Sequence, residues 1–68
     1  MFTYEPLFRT LDRKNMGLIE VEKGCNLSSK TTSKFRKNGV MNIDTLARVG
    51  IFLDVPIEEI VAIKRDKK

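Results

Sequence analysis

Apolar positions in this chain fall in short groups at helical rather than alternating spacing. Tyr4, Leu7, Phe8 and Leu11 recur as one face of a helix that starts at Thr3 as N-cap and runs to about Lys14. Glu5 sits in its first turn, where the helix dipole favours an acid, and Pro6 is tolerated where amides lack intrahelical partners. Asn15-Met16-Gly17 breaks the pattern. A second helix is predicted from about Leu18 to Cys25, with Val21 and Cys25 four apart on its inner face. Gly24 inside it costs up to about 1 kcal/mol relative to Ala. Asn26 suits a left-handed turn, and Leu27 returns to the core.

Ser28 is then placed to cap a third helix whose inner side is Thr31, Thr32 and Phe35, ended by Asn38-Gly39. Asn42 caps a fourth, with Asp44 in its first turn and Leu46, Val49 and Leu53 facing inward. Val55-Pro56 opens a short fifth helix with Glu58 and Glu59 at its positive end, anchored by Ile57, Ile60 and Val61. No segment sustains the alternation of a buried strand, and "IVAIK" is the only ambiguous piece. The reading is an all-α, compact five-helix domain over residues 1–63, with a basic, flexible tail at 64–68.

Length limits what this fold can hold. A chain of 68 residues is one domain, and a domain of that size buries only about 60% of its unfolded surface. Apolar residues at 41% and charged residues at 32% fit a folded, soluble chain. No apolar run approaches the roughly 18 residues that a membrane span needs, and "MFTYEPLFRT" does not read as a signal peptide. With one cysteine and no histidine there is no internal disulfide and no His/Cys zinc site, and a reducing cytoplasm is expected. Cys25 reads as a small buried hydrophobe. Ser28-Ser29 lacks a histidine base, and there is no phosphate-cradling glycine loop, so no enzyme activity and no cofactor are expected.

Charge changes the picture at one place. The net charge is +4, but from Lys23 to Ile43 there are five basic residues (Lys23, Lys30, Lys34, Arg36 and Lys37) and no acid. A basic run on a helix is commonly a solvated face; coinciding with the third helix, it points to an anionic partner.

The segments "TYEPLFRTLDRKNM", "NLSSKTTSKFRKNG" and "NIDTLARVGIFLDVPIEEIV", in this order, resemble the lambdoid Cro and repressor type of helix-turn-helix domain, the XRE family, over about residues 3–63. The resemblance implies a lambda-repressor-like fold with a recognition helix at about 28–37 in the major groove of double-stranded DNA. Carried over by position, Ser28, Ser29, Lys30, Ser33 and Lys34 would contact bases, while Ser28 could instead use its hydroxyl as a cap. Arg36, Lys37 and Asn38, in the turn after that helix, and Asn42 at the amide end of helix 4 would contact phosphates. Three positions depart from the family pattern. Gly17-Leu18 stands where relatives carry Thr-Gln, Glu22 where they carry a small residue, and Thr32 where they carry a branched apolar one. The first departure leaves Leu18 and Ile19 as exposed apolar groups, a possible surface for a protein partner.

The function implied is a sequence-specific DNA-binding transcriptional regulator, a repressor from a bacterium, phage or mobile element, acting in the cytoplasm as a homodimer on a palindromic operator. Helix 5 and "IVAIK" are the candidates for self-association. Two alternatives stay open: an interaction module that docks on a second regulator protein, and the antitoxin of a toxin–antitoxin pair.

Overall fold

In the computed structural model, which describes residues 1–65, the four segments read as helices from residue 3 to residue 53 are helices. They are α1 (Glu5–Arg13), α2 (Leu18–Gly24), α3 (Ser29–Lys37) and α4 (Ile43–Leu53). Each of the three breaks from α1 to α4 uses an asparagine with positive φ: Asn15 at 59°, Asn26 at 56° and Asn38 at 55°. Asn tolerates this region better than most residues, so the turns need no glycine at the left-handed position. Asp54 does the same after α4, at 59°.

The fifth helix is corrected. After Pro56 the chain makes a single 3-10 turn, Ile57–Glu59, and then extends. Ile60 is buried and Val61 half-buried, and Ala62–Ile63 (β2) pairs antiparallel with Phe2–Thr3 (β1), Phe2 opposite Ile63 and Thr3 opposite Ala62. The Lys64 amide donates to the Met1 carbonyl at 2.8 Å and extends this closure by one bond, at a residue expected to begin a flexible tail. The rest of that expected tail, residues 66–68, lies outside the described residues. The fold is therefore four α-helices, one 3-10 turn and a two-stranded sheet joining the ends of the described chain.

Thr3 belongs to β1 rather than capping α1, yet its Oγ1 still accepts from the Glu5 amide at 3.2 Å, so one first-turn donor is satisfied. Gly17 is the N-cap of α2, and the Glu20 carboxylate reaches back to accept from its amide.

The core takes one face from each element: Tyr4, Leu7 and Leu11; Leu18, Val21 and Cys25; Phe35; Leu46, Val49 and Leu53; and Ile60. The two buried threonine hydroxyls are both satisfied. Thr10 Oγ1 donates to the Glu59 carbonyl at 2.9 Å, tying α1 to the 3-10 turn, and Thr32 bonds within the α2–α3 pair. Gly24 has a tertiary reason. A Cβ there would run into the Phe52 ring, so the missing side chain lets that ring of α4 lie over α2. No helix among the described residues is long and apolar enough to cross a membrane.

Candidate nucleic-acid interface

The α2–α3 pair is joined by Cys25–Asn26–Leu27, with Asn26 turning left-handed and the Leu27 amide returning to the Glu22 carbonyl at 2.8 Å. Ser28 then caps α3: its Oγ accepts from the Thr31 amide at 3.2 Å and lies 3.1 Å from Thr31 Oγ1. Of the two roles open to Ser28 in the sequence, its hydroxyl performs the cap.

Along α3 only Thr32 and Phe35 are buried. Opposite them, Lys30, Ser33, Lys34 and Lys37 recur at i, i+3, i+4 and i+7, a single stripe on the outer side. The three lysines are exposed and Ser33 is half-buried at the margin. Ser29 and Arg36, seven apart, form a second row on the flank. Arg36 lines a shallow cleft of about 380 Å³ with Asp12, Met16, Gly17 and Leu18. Arg36 and Lys37 are thus in the last turn of α3 and not in the turn after it, because the helix continues to the left-handed Asn38. There their charge also complements the negative end of the helix dipole.

Neither ion pair found among the described residues involves α3. Those pairs are Arg9 with Glu5 at 3.5 Å and Arg13 with Glu59 at 2.8 Å. The lysine stripe therefore keeps its charge unneutralised within the fold.

Tyr4 braces the far end of α3. Its ring meets Phe35 edge-on with centroids 4.9 Å apart, and its hydroxyl donates to the Gly39 carbonyl at 2.6 Å. Its amide donates to Asn38 Oδ1 at 3.0 Å. Asn38, expected at a phosphate, thus has its carbonyl oxygen engaged within the fold and only its amide nitrogen left to donate. Burial raises the Tyr4 phenol above its usual value, so it stays a donor at neutral pH. No signal in the sequence marked Tyr4 for more than core packing.

Asn42 caps α4 by position, without a side-chain bond to the helix. It borders a cleft of about 210 Å³ with Thr31, Lys34, Val40, Met41 and Thr45, so the fold brings Lys34 beside the amide end of α4. Thr31 and Thr45 were not marked as site residues; only the approach of α3 to α4 joins them.

Leu18 is corrected. It is 7% exposed and belongs to the core, because Leu18, Val21 and Cys25 share one face of α2 at i, i+3 and i+7. Ile19, one position on, is 61% exposed. The other two departures from the family pattern meet each other: Thr32 Oγ1 donates toward Glu22 Oε1 at 3.3 Å. Among the described residues there is no cluster of three or more His, Cys, Asp or Glu fit to hold a metal ion.

The crystal structure of the transcriptional regulator VanUg (Form II) has a similar fold, with a TM-score of 0.86 and 21% sequence identity, covering 90% of this chain and 81% of that one. No protein-family model matches the chain, and no curated protein matches it in sequence.

Proposed function

We propose that this chain is a sequence-specific DNA-binding regulator of transcription that lays α3 in the major groove. The observation that carries the reading is the outer stripe of α3. Lys30, Ser33, Lys34 and Lys37 stand opposite the buried Thr32 and Phe35 on a helix with no acid and no internal ion pair. Groups of this kind match a duplex: lysines donate to guanine O6 and N7 or to phosphate, and a hydroxyl serves either role.

Roles follow from position. Lys30, Ser33 and Lys34 read base edges near the start of the helix, with Ser29 at the margin. Arg36, Lys37, the Asn38 amide and the Asn42 end of α4 hold phosphates. Ser28 acts indirectly, by fixing the first turn of α3. One domain of this size covers about one half-site, so we read the active form as a homodimer on a palindrome with half-sites about 34 Å apart. As a DNA-binding regulator it would act as a repressor, by occupying its site, in the cytoplasm of a bacterium or on behalf of a phage or mobile element. It needs no cofactor. Of the structure-level comparisons, the fold shared with a transcriptional regulator supports this reading.

The test is titration against duplex from the chain's own promoter region, beside scrambled duplex, at two salt concentrations. Preference of at least about 1000-fold, with a log–log salt slope of about −2 for each protomer, is expected from the two phosphates that Arg36 and Lys37 neutralise. Equal, weak binding to both duplexes overturns it.

A further inference from the structure

The stripe that α4 turns to solvent is apolar. Ile43 is 71% exposed and Ile51 is 81% exposed, with exposed Ala47 midway between them. These three are spaced i, i+4 and i+8, so they form one ridge along a helix about 16 Å long. Ala47 and Ile51 of the ridge also form one wall of a cleft of about 530 Å³ between α4 and the 3-10 turn, lined further by Leu46, Gly50, Val55 and Ile57. A soluble domain this small gains nothing in its own core from such a ridge.

The ridge also reads the same in both directions. A two-fold axis through Ala47 sets Ile43 of one copy against Ile51 of the other, twice, with the small Ala47 side chains letting the helices approach. The row next to it carries opposite charges, Asp44 and Arg48. Because their positions straddle the same centre to within one residue, an antiparallel pairing sets Asp44 of each copy alongside Arg48 of the other. Antiparallel helices also place opposite dipole ends together. On α3 a self-pairing would instead bring like charges face to face.

We propose that two copies of this chain pair antiparallel along α4, about a two-fold axis at Ala47, with the Ile43–Ala47–Ile51 ridge of each beside the cleft of the other. The interface is isologous, so it closes as a dimer and does not extend into a filament. It differs from the surface expected at helix 5 and "IVAIK", where Ile60 is fully buried and Ala62–Ile63 pair with β1 in the same chain while the Ile57 and Ile63 side chains stay exposed. It also leaves the lysine stripe of α3 outside the contact. The pairing gives the DNA-binding reading its two-fold axis, but it stands on α4 alone and is measured without DNA.

Sedimentation equilibrium on the full chain tests it. Wild type is expected to show a reversible monomer–dimer equilibrium. Ile51→Glu raises its dissociation constant at least about tenfold while helical circular dichroism is unchanged. Asp44→Arg weakens the dimer, and Asp44→Arg with Arg48→Asp restores it. In a Cys25→Ala background, Ala47→Cys on the axis cross-links copies under mild oxidation, whereas Ile63→Cys, at an exposed position away from α4, does not. A chain that stays monomeric up to about 1 mM overturns the proposal, as does a dimer that Ile51→Glu leaves intact, which puts the contact elsewhere. Failure of the promoter titration with the dimer present would count against DNA binding alone.

Discussion

Thr32 Oγ1 lies 3.3 Å from Glu22 Oε1, across the two helices whose relative pose sets the candidate DNA-binding face. Thr32 is buried and Glu22 half-buried, and the same hydroxyl lies 3.2 Å from the Ser29 carbonyl, so it has a second acceptor. Two residues that look out of place singly are therefore compatible as a pair.

That pairing sets a sign for a double-mutant cycle. Glu22→Ala leaves Thr32 its backbone acceptor and is expected to cost under about 1 kcal/mol. Thr32→Val removes the donor from a carboxylate that stays half-buried, and should cost about 1 kcal/mol or more. The double variant removes both partners and should cost less than the sum of the singles by at least about 0.5 kcal/mol, read from urea unfolding. Strict additivity would show that the two side chains do not interact.

Ser28 separates stability from binding. Ser28→Ala removes the cap on the Thr31 amide and should lower stability by about 1 kcal/mol. Ser28→Asp keeps a capping oxygen and stays close to wild type in stability. It sets a negative charge at the start of α3, so DNA affinity should fall with no loss of fold. A stable Ser28→Asp variant with undiminished affinity would place the start of α3 away from the duplex.

Lys30→Ala and Arg36→Ala are expected to differ in kind. Loss of Lys30 should cost about 1–3 kcal/mol on the cognate duplex and less on random DNA, relaxing selectivity at one base position. Loss of Arg36 on the flank should weaken both duplexes alike and reduce the salt slope by about one. Quantitative footprinting on both duplexes at two salt concentrations resolves the pair.

Gly24 should change sign with its neighbour. In the wild-type chain Gly24→Ala drives a Cβ into the Phe52 ring and is expected to destabilise, although the ring is 40% exposed and can swing aside. With Phe52→Ala already present, the same change meets no ring, and helix propensity should make it stabilising by up to about 1 kcal/mol. Thermal melts of the four proteins check the reversal.

Acid should loosen the contact between α1 and the 3-10 turn. The hydrogen bond from Arg13, outweighing desolvation, holds the Glu59 carboxyl below the usual carboxylate range. A folded-state value below the unfolded one gives stability that is complete above the unfolded value. It is lost as pH falls through the folded one, within the carboxylate range and below it. Arg13→Ala should therefore lower the melting temperature at pH 7 and have little effect near pH 2. Equal losses at both pH values would show that Arg13 acts through packing and not through Glu59.

The sequence by itself determined the four helices and the turns between them. Periodicity of 3–4 residues, Asn26 at a left-handed turn, the breaks at Asn15 and Asn38 and Ser28 as a cap are local signals, and local backbone physics suffices to read them. It also located the basic helix, since charge along a chain needs no coordinates. Tertiary packing decided the rest. Leu18 shares the Val21–Cys25 face of α2 by its spacing, and it is the docking of that face on the other helices that buries it. "IVAIK" joins a strand because Phe2–Thr3, some sixty residues earlier in sequence, supplies its partner. Thr45 comes to border the same cleft as Lys34, and Phe52 covers Gly24, only once the helices have packed. Such contacts join residues far apart in the chain, and no local preference encodes which ones they will be.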